Sequence, residues 1–128
     1  MNAGEYMVSD KTTRINELRE KVKQFIESRD WTKYHNPKDV IISITIEAAE
    51  LLELFQWVKE SEIDKIIKNP QKFNKIEDEL ADVLIYCISL ANALDIDISN
   101  IIINKIAKNI SKYPVDKVKG NYKKYTEI

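Results

Sequence analysis

Four carboxylates recur in a pattern that suits a divalent cation. Glu47 and Glu50 stand three residues apart in EAAE, and Glu79 and Asp82 stand three apart in ELAD. On a helix such a step leaves two side chains about 60° apart, so each pair shares nearly one face. Both pairs interrupt apolar seams. Val40, Ile44, Leu51, Leu54 and Val58 run at helical spacing through Glu47, and Ile76, Val83, Tyr86 and Leu90 run through Glu79. Four residues beyond each acid stand Leu51, Leu54, Val83 and Tyr86, so none has a lysine partner at that position. Two carboxylates ~4 Å apart repel by about 4 kcal/mol at an effective dielectric of 20. Acids on inward faces therefore call for a cation or a proton. Oxygen donors alone suit Mg²⁺, with Mn²⁺ as a substitute. His35, the only histidine, lies outside both helices, which excludes the Glu-x-x-His pairs of a di-iron bundle. Glu53, three residues beyond Glu50, is a further ligand or an orienter of water, whereas Asp78 points away and reads as solvated. The competing reading is a set of structural or solvated acids with no ligand.

The elements that would carry these residues are helices. Glycine occurs only at Gly4 and Gly120, and proline only at Pro37, Pro70 and Pro114. A chain so poor in breakers favours long helices over a many-turned β fold. Ile15, Leu18, Val22, Phe25 and Ile26 predict a first helix over about 12–29. After DWTKYHNP, a second runs from Pro37 to about Lys59, with Asn36 as N-cap and Pro37 at the first helical position. A continuous helix through Lys59 would place Trp57 on the face of Glu50. One brief helix fits ESEIDKIIKNPQK. A third long helix spans about Phe73 to Leu94, and a fourth about Ile98 to Lys112. The expectation is an all-α bundle of four main helices in one domain over 1–128, with a core at about 12–113 and a Lys- and Tyr-rich tail at 114–128. Ile98, Ile101, Ile102, Ile103, Ile106 and Ile110 cover more than one stripe of the last helix. They are either buried within the domain or packed against another subunit.

Composition narrows the class. A length of 128 residues fits one small core. Lys plus Arg is 20 and Asp plus Glu is 21, a net charge of -1 without the basic excess of a nucleic-acid binder. One cysteine, Cys87, leaves no internal disulfide and no multi-cysteine zinc site, and it reads as a small core residue. No apolar run approaches the ~20 residues of a membrane span, and the first residues lack a secretory pattern. A cytoplasmic protein is the expectation.

EAAE followed by ELAD resembles the E-x-x-E…E-x-x-D signature of MazG-like all-α nucleoside triphosphate pyrophosphohydrolases. RDWTKYHNP, the stretch from Glu47 through ELFQW, DELADVLIY, KYP and the terminal KYTEI are similar to the dCTP pyrophosphatase branch. The similarity covers about Leu18 to Ile128. It implies Mg²⁺-dependent hydrolysis of a nucleoside triphosphate to the monophosphate and pyrophosphate, most readily of dCTP or a modified dCTP. Glu47, Glu50, Glu79 and Asp82 would be metal ligands, with Glu53 orienting water. Trp31, Tyr34, His35 and Trp57 would contact the base, and Tyr86 would pack near the sugar and exclude ribonucleotides. Asn109 and Lys112, in N-x-x-K-Y-P, would meet the phosphates, and Lys119, Lys123 and Lys124 could close over them. The resemblance also implies a homo-oligomer, a tetramer rather than a dimer, with the active site near a subunit interface. Val22 departs from the pattern: a polar base-contacting histidine stands at this position in a eukaryotic member. The preference for cytosine stays open against a broader or dUTP-type activity, and a non-catalytic helical interaction module is the alternative outside the enzymes.

Overall fold

The computed structural model describes residues 8–128. Six α-helices follow in order: α1 (Ile15–Glu27), α2 (Pro37–Glu53), α3 (Ile63–Lys68), α4 (Pro70–Ala93), α5 (Ile98–Lys112) and α6 (Val115–Val118). Single turns of 3-10 helix occur at Thr32–Tyr34, Glu60–Glu62 and Tyr125–Glu127. No strand is present among the described residues. The all-α expectation, with four main helices, therefore holds.

The helix starts are written locally. Asn36 Oδ1 accepts from the Asp39 amide at 3.0 Å, and Pro37 follows at the first helical position. The same Asn-Pro pair opens α4: Asn69 Oδ1 accepts from the Lys72 amide at 3.1 Å ahead of Pro70. The expected start at Phe73 was thus three residues late, because Pro70 initiates the helix rather than preceding it. Asp97 caps α5 by accepting from the Asn100 amide at 2.8 Å.

The end of α2 departs from expectation. The helix stops at Glu53, and amides of residues 54–56 bond three residues back instead of four. Trp57 then adopts φ +67°, a left-handed conformation that costs a bulky residue about 1–3 kcal/mol. Leu54, Phe55 and Val58 are half-buried, while Trp57 is 91% exposed. The turn tucks three apolar residues inward and ejects the fourth. Trp57 therefore does not share a helical face with Glu50.

The chain forms two compact units that meet at Asp95–Ile96. In the first, α2 packs along α4, and α1 and α3 also pack on α4. Val40 is its most buried residue, at 1% exposure, with Val22, Ile26, Ile66 and Ala91 also buried. Cys87 is exposed, not core as expected. It follows Tyr86 by one residue, about 100° round α4, and so leaves the packed stripe. Arg19 ties α1 to the end of α4. Its Nε donates to Asn92 Oδ1 at 2.9 Å, and Asn92 Nδ2 donates back to the Arg19 carbonyl at 3.2 Å. Asn92→Ala should lower the unfolding free energy by about 1 kcal/mol, because it removes both hydrogen bonds between Asn92 and Arg19, while the guanidinium keeps its bond to the Ala91 carbonyl. An unchanged denaturant midpoint would contradict this role.

The second unit comprises α5 and the segment after it. Tyr113 and Tyr125 meet edge-on at 6.2 Å, and Lys112 Nζ lies 4.8 Å from the centre of the Tyr125 ring. No residue of α5 is buried, and Ile103 and Ile110 are about two-thirds exposed.

Candidate active site

Packing of α2 on α4 brings the acids together. One carboxylate oxygen from each of Glu47, Glu50 and Glu79 lies within 4.8 Å of the others. Glu47 Oε2 and Glu79 Oε2 are shut off from solvent and lack a hydrogen-bond partner among the described residues. Buried acceptors are seldom left so. Burial raises the Glu47 pKa to about 7, aided by hydrogen bonding to Glu50 and by the charges of Glu50, Asp82 and Glu79. Burial likewise raises Glu79, again with Glu50 and Asp82 contributing. Asp82 stands outside the trio but close enough to act on both. Two orphaned oxygens and a crowd of like charges, with no cation against them in an ion pair among the described residues, are what a hard divalent ion would satisfy. Glu47, Glu50 and Glu79 fit that role, with Asp82 beside them.

The raised Glu47 pKa has two consequences with definite signs. A carboxyl whose pKa lies near 7 when folded and near 4.5 when unfolded stabilises the fold fully below about pH 4.5. That contribution is lost as pH rises through 7. A cation must displace this proton, so Mg²⁺ or Mn²⁺ affinity should rise about tenfold per pH unit below 7 and flatten above it. Calorimetric titration in buffers of different ionisation enthalpy should detect about one proton released at pH 6 and almost none at pH 8.5. Equal affinity at both values would exclude Glu47 as a ligand.

Next to the acids lies a groove of about 750 Å³ between α1 and α4. Leu18, Lys21, Val22 and Phe25 line it from α1, Trp31 and His35 from the connector, and Asp82, Tyr86 and Ser89 from α4. Trp31 is braced edge-on by Phe25, with ring centres 5.8 Å apart. Arg29 covers Phe25 at 4.0 Å and donates to the Phe25 carbonyl. His35 stacks against Tyr86 at 6.2 Å with their planes 12° apart. His35 Nδ1 lies 2.9 Å from the Trp31 carbonyl oxygen. A carbonyl only accepts, so Nδ1 carries the proton. Asp82 belongs to both features: it acts on the acid trio and lines the groove.

The sequence-predicted residues thus divide. Glu47, Glu50 and Glu79 converge, and Trp31, His35, Tyr86 and Asp82 share one groove. Glu53 is exposed at the last position of α2. Tyr34 is 63% exposed and, like Trp57, does not line the groove. Asn109 and Lys112 lie on α5 in the second unit. Sequence reasoning missed Lys21 and Ser89. Ser89 carries a legible signal, since Asp82, Tyr86 and Ser89 follow at four and three residues on α4.

A helical scaffold with facing acid pairs beside an aromatic groove defines a family, and the comparisons agree: the chain belongs to the MazG-like family, which matches residues 42–128. It is 32% identical over 126 residues to dCTP pyrophosphatase 1 of Rattus norvegicus, covering 98% of this chain and 74% of the relative. It is 30% identical over 125 residues to dCTP pyrophosphatase 1 of Homo sapiens, covering 98% and 73%. Its fold matches the crystal structure of a pyrophosphatase from Archaeoglobus fulgidus with a TM-score of 0.74 and 37% identity, over 84% of this chain and 98% of that one.

Proposed function

We propose that the protein is a Mg²⁺-dependent nucleoside triphosphate pyrophosphohydrolase that cleans the nucleotide pool, with dCTP or a modified dCTP as its leading substrate. The observation that carries this reading is the continuity, through Asp82, of an acid trio with an aromatic groove. The names of the relatives point to the same chemistry. Glu47, Glu50 and Glu79, with Asp82, hold the metal. When bound, it supplies neutralisation of phosphate charge and a more acidic water. Glu53, one turn beyond Glu50, orients the water that attacks the α-phosphorus. The bond to the oxygen bridging the α- and β-phosphorus breaks, and pyrophosphate leaves. Trp31 and His35 flank the base, with Tyr34 at the exposed edge, and Tyr86 packs against the sugar.

The active form is a homotetramer. Ile41, Ile42 and Ile46 on α2, and Leu80 on α4, lie outside the groove and are 46–52% exposed, apolar surface that a second subunit would cover. Trp57, held in a strained and exposed turn, suits contact with a second subunit's site. Sedimentation equilibrium should give about four times the 15.0 kDa chain mass. A monomer would remove this part of the reading.

The deciding experiment is pyrophosphate release from the eight common nucleoside triphosphates, with and without Mg²⁺. Turnover of dCTP well above the rest supports the full reading. Activity spread over several bases favours the broader or dUTP-type hydrolase, a reading helped by the alkyl side chain of Val22 in the groove. No release from any nucleotide leaves a helical interaction module.

A further inference from the structure

We infer that Ser89 is a specificity-determining residue, whose hydroxyl reads the edge of the base from the floor of the α1–α4 groove. This rests on the reading of that groove as the base site. Ser89 is 3% exposed, the only buried polar residue among those described. Its side chain nevertheless lines the groove, and its hydroxyl has no hydrogen-bond partner among the described residues. A serine inside a helix ordinarily faces solvent or bonds to the carbonyl four residues back. Thr45 in α2 does the latter, donating to Ile41 at 3.1 Å. Ser89 makes no such bond, and its hydroxyl is not among the polar atoms shut off from solvent, so it opens on the groove and is free to pair with what enters it.

Its position shows what that is. Asp82, Tyr86 and Ser89 form one stripe of α4, and Ser89 lies ~10 Å further along the axis than Asp82. Phosphates at the acids, sugar at Tyr86 and base beyond it follow in that order along the stripe. The floor residue then meets the base edge rather than its face, since Trp31 and His35 supply the flat rings. A hydroxyl both donates and accepts, so it can pair with a ring carbonyl, a ring nitrogen or an exocyclic amine. Around it the groove is otherwise built of Leu18, Val22, Phe25, Ile85 and Ile88, with Lys21 the one cation lining it. In such surroundings one hydrogen bond discriminates strongly, because the wrong base leaves a buried polar group unpaired.

The test compares wild type, Ser89→Ala and Ser89→Thr by kcat/KM over the eight common nucleoside triphosphates, beside Mn²⁺ binding by calorimetry and thermal melting. In Ser89→Ala the ratio of the best to the second-best pyrimidine substrate should fall about five- to tenfold. Ser89→Thr, which keeps the hydroxyl, should restore most of it. The Mn²⁺ affinity of Ser89→Ala should match wild type, and its melting temperature should not fall, since no internal bond is lost. Unchanged ratios in Ser89→Ala, with wild type active, overturn the role of Ser89 alone. A wild type that turns over no nucleotide overturns the proposed function and this inference with it. Loss of Mn²⁺ binding or of melting temperature in Ser89→Ala would make the residue structural and also overturn it.

Discussion

Glu50→Gln is expected to reduce pyrophosphate release by at least about a hundredfold while making the metal-free protein more stable. The two effects share one cause. Glu50 is one of three acids whose oxygens lie within 4.8 Å of one another, and its charge raises both Glu47 and Glu79. An amide of the same shape removes that repulsion, so the metal-free melting temperature at pH 8 should rise. It also removes a charged donor, and losing even a supporting residue of a metal site costs 10–100-fold in affinity or activity. Mg²⁺ should raise the wild-type melting temperature beyond an equal ionic-strength control, and that rise should shrink or vanish in the variant. A variant that keeps its activity would exclude Glu50 as a ligand. A variant less stable than wild type without metal would mean that the trio is a satisfied structural cluster.

Trp31→Ala should carry the second-largest effect, a fall in kcat/KM of about ten- to a hundredfold for every nucleotide. Stacking of a base on an aromatic ring is worth about 1–3 kcal/mol. Trp31 lines the groove and is braced by Phe25, which in turn is covered by Arg29, so the ring is already held before any base arrives. The loss should fall mainly on KM where chemistry is slow relative to substrate release. Trp31→Phe, which keeps a flat ring, should recover part of it. Metal binding should be retained, because Trp31 is not among the acids. If Trp31→Ala lost activity only in proportion to lost folded protein, the indole would be packing rather than a base platform. At 41% exposure, Trp31 is more open than a packing residue needs to be.

These two residues also show how far local information reaches. The acid pairs were legible because an apolar seam interrupted by a carboxylate contradicts itself unless something neutralises the acid. That contradiction needs only the helical period. The starts of α2 and α5 were legible for the same reason, since Asn36-Pro37 and the Asp97 cap act within one turn. The end of α2 and the side of Cys87 were not. No glycine or proline marks Leu54, and the turn there exists because Leu54, Phe55 and Val58 are pulled inward together, which leaves Trp57 left-handed and exposed. Cys87 looks apolar enough for a core and misses it by one step round the helix.

Periodicity within each helix, then, was enough to place Glu47 and Glu50 on one face of α2 and Glu79 and Asp82 on one face of α4, and to raise a divalent ion as the expectation. It could not say that Asp82 stands apart from the closest trio, or that it borders a groove shared with Trp31, His35 and Tyr86. Spacing set Ser89 on the stripe of Asp82 and Tyr86, but only the packing of α1 on α4 made that stripe one wall of a groove. Helical spacing is set by bonds four residues apart, whereas a groove is set by which faces of distant helices meet, and those contacts appear only when the chain has folded.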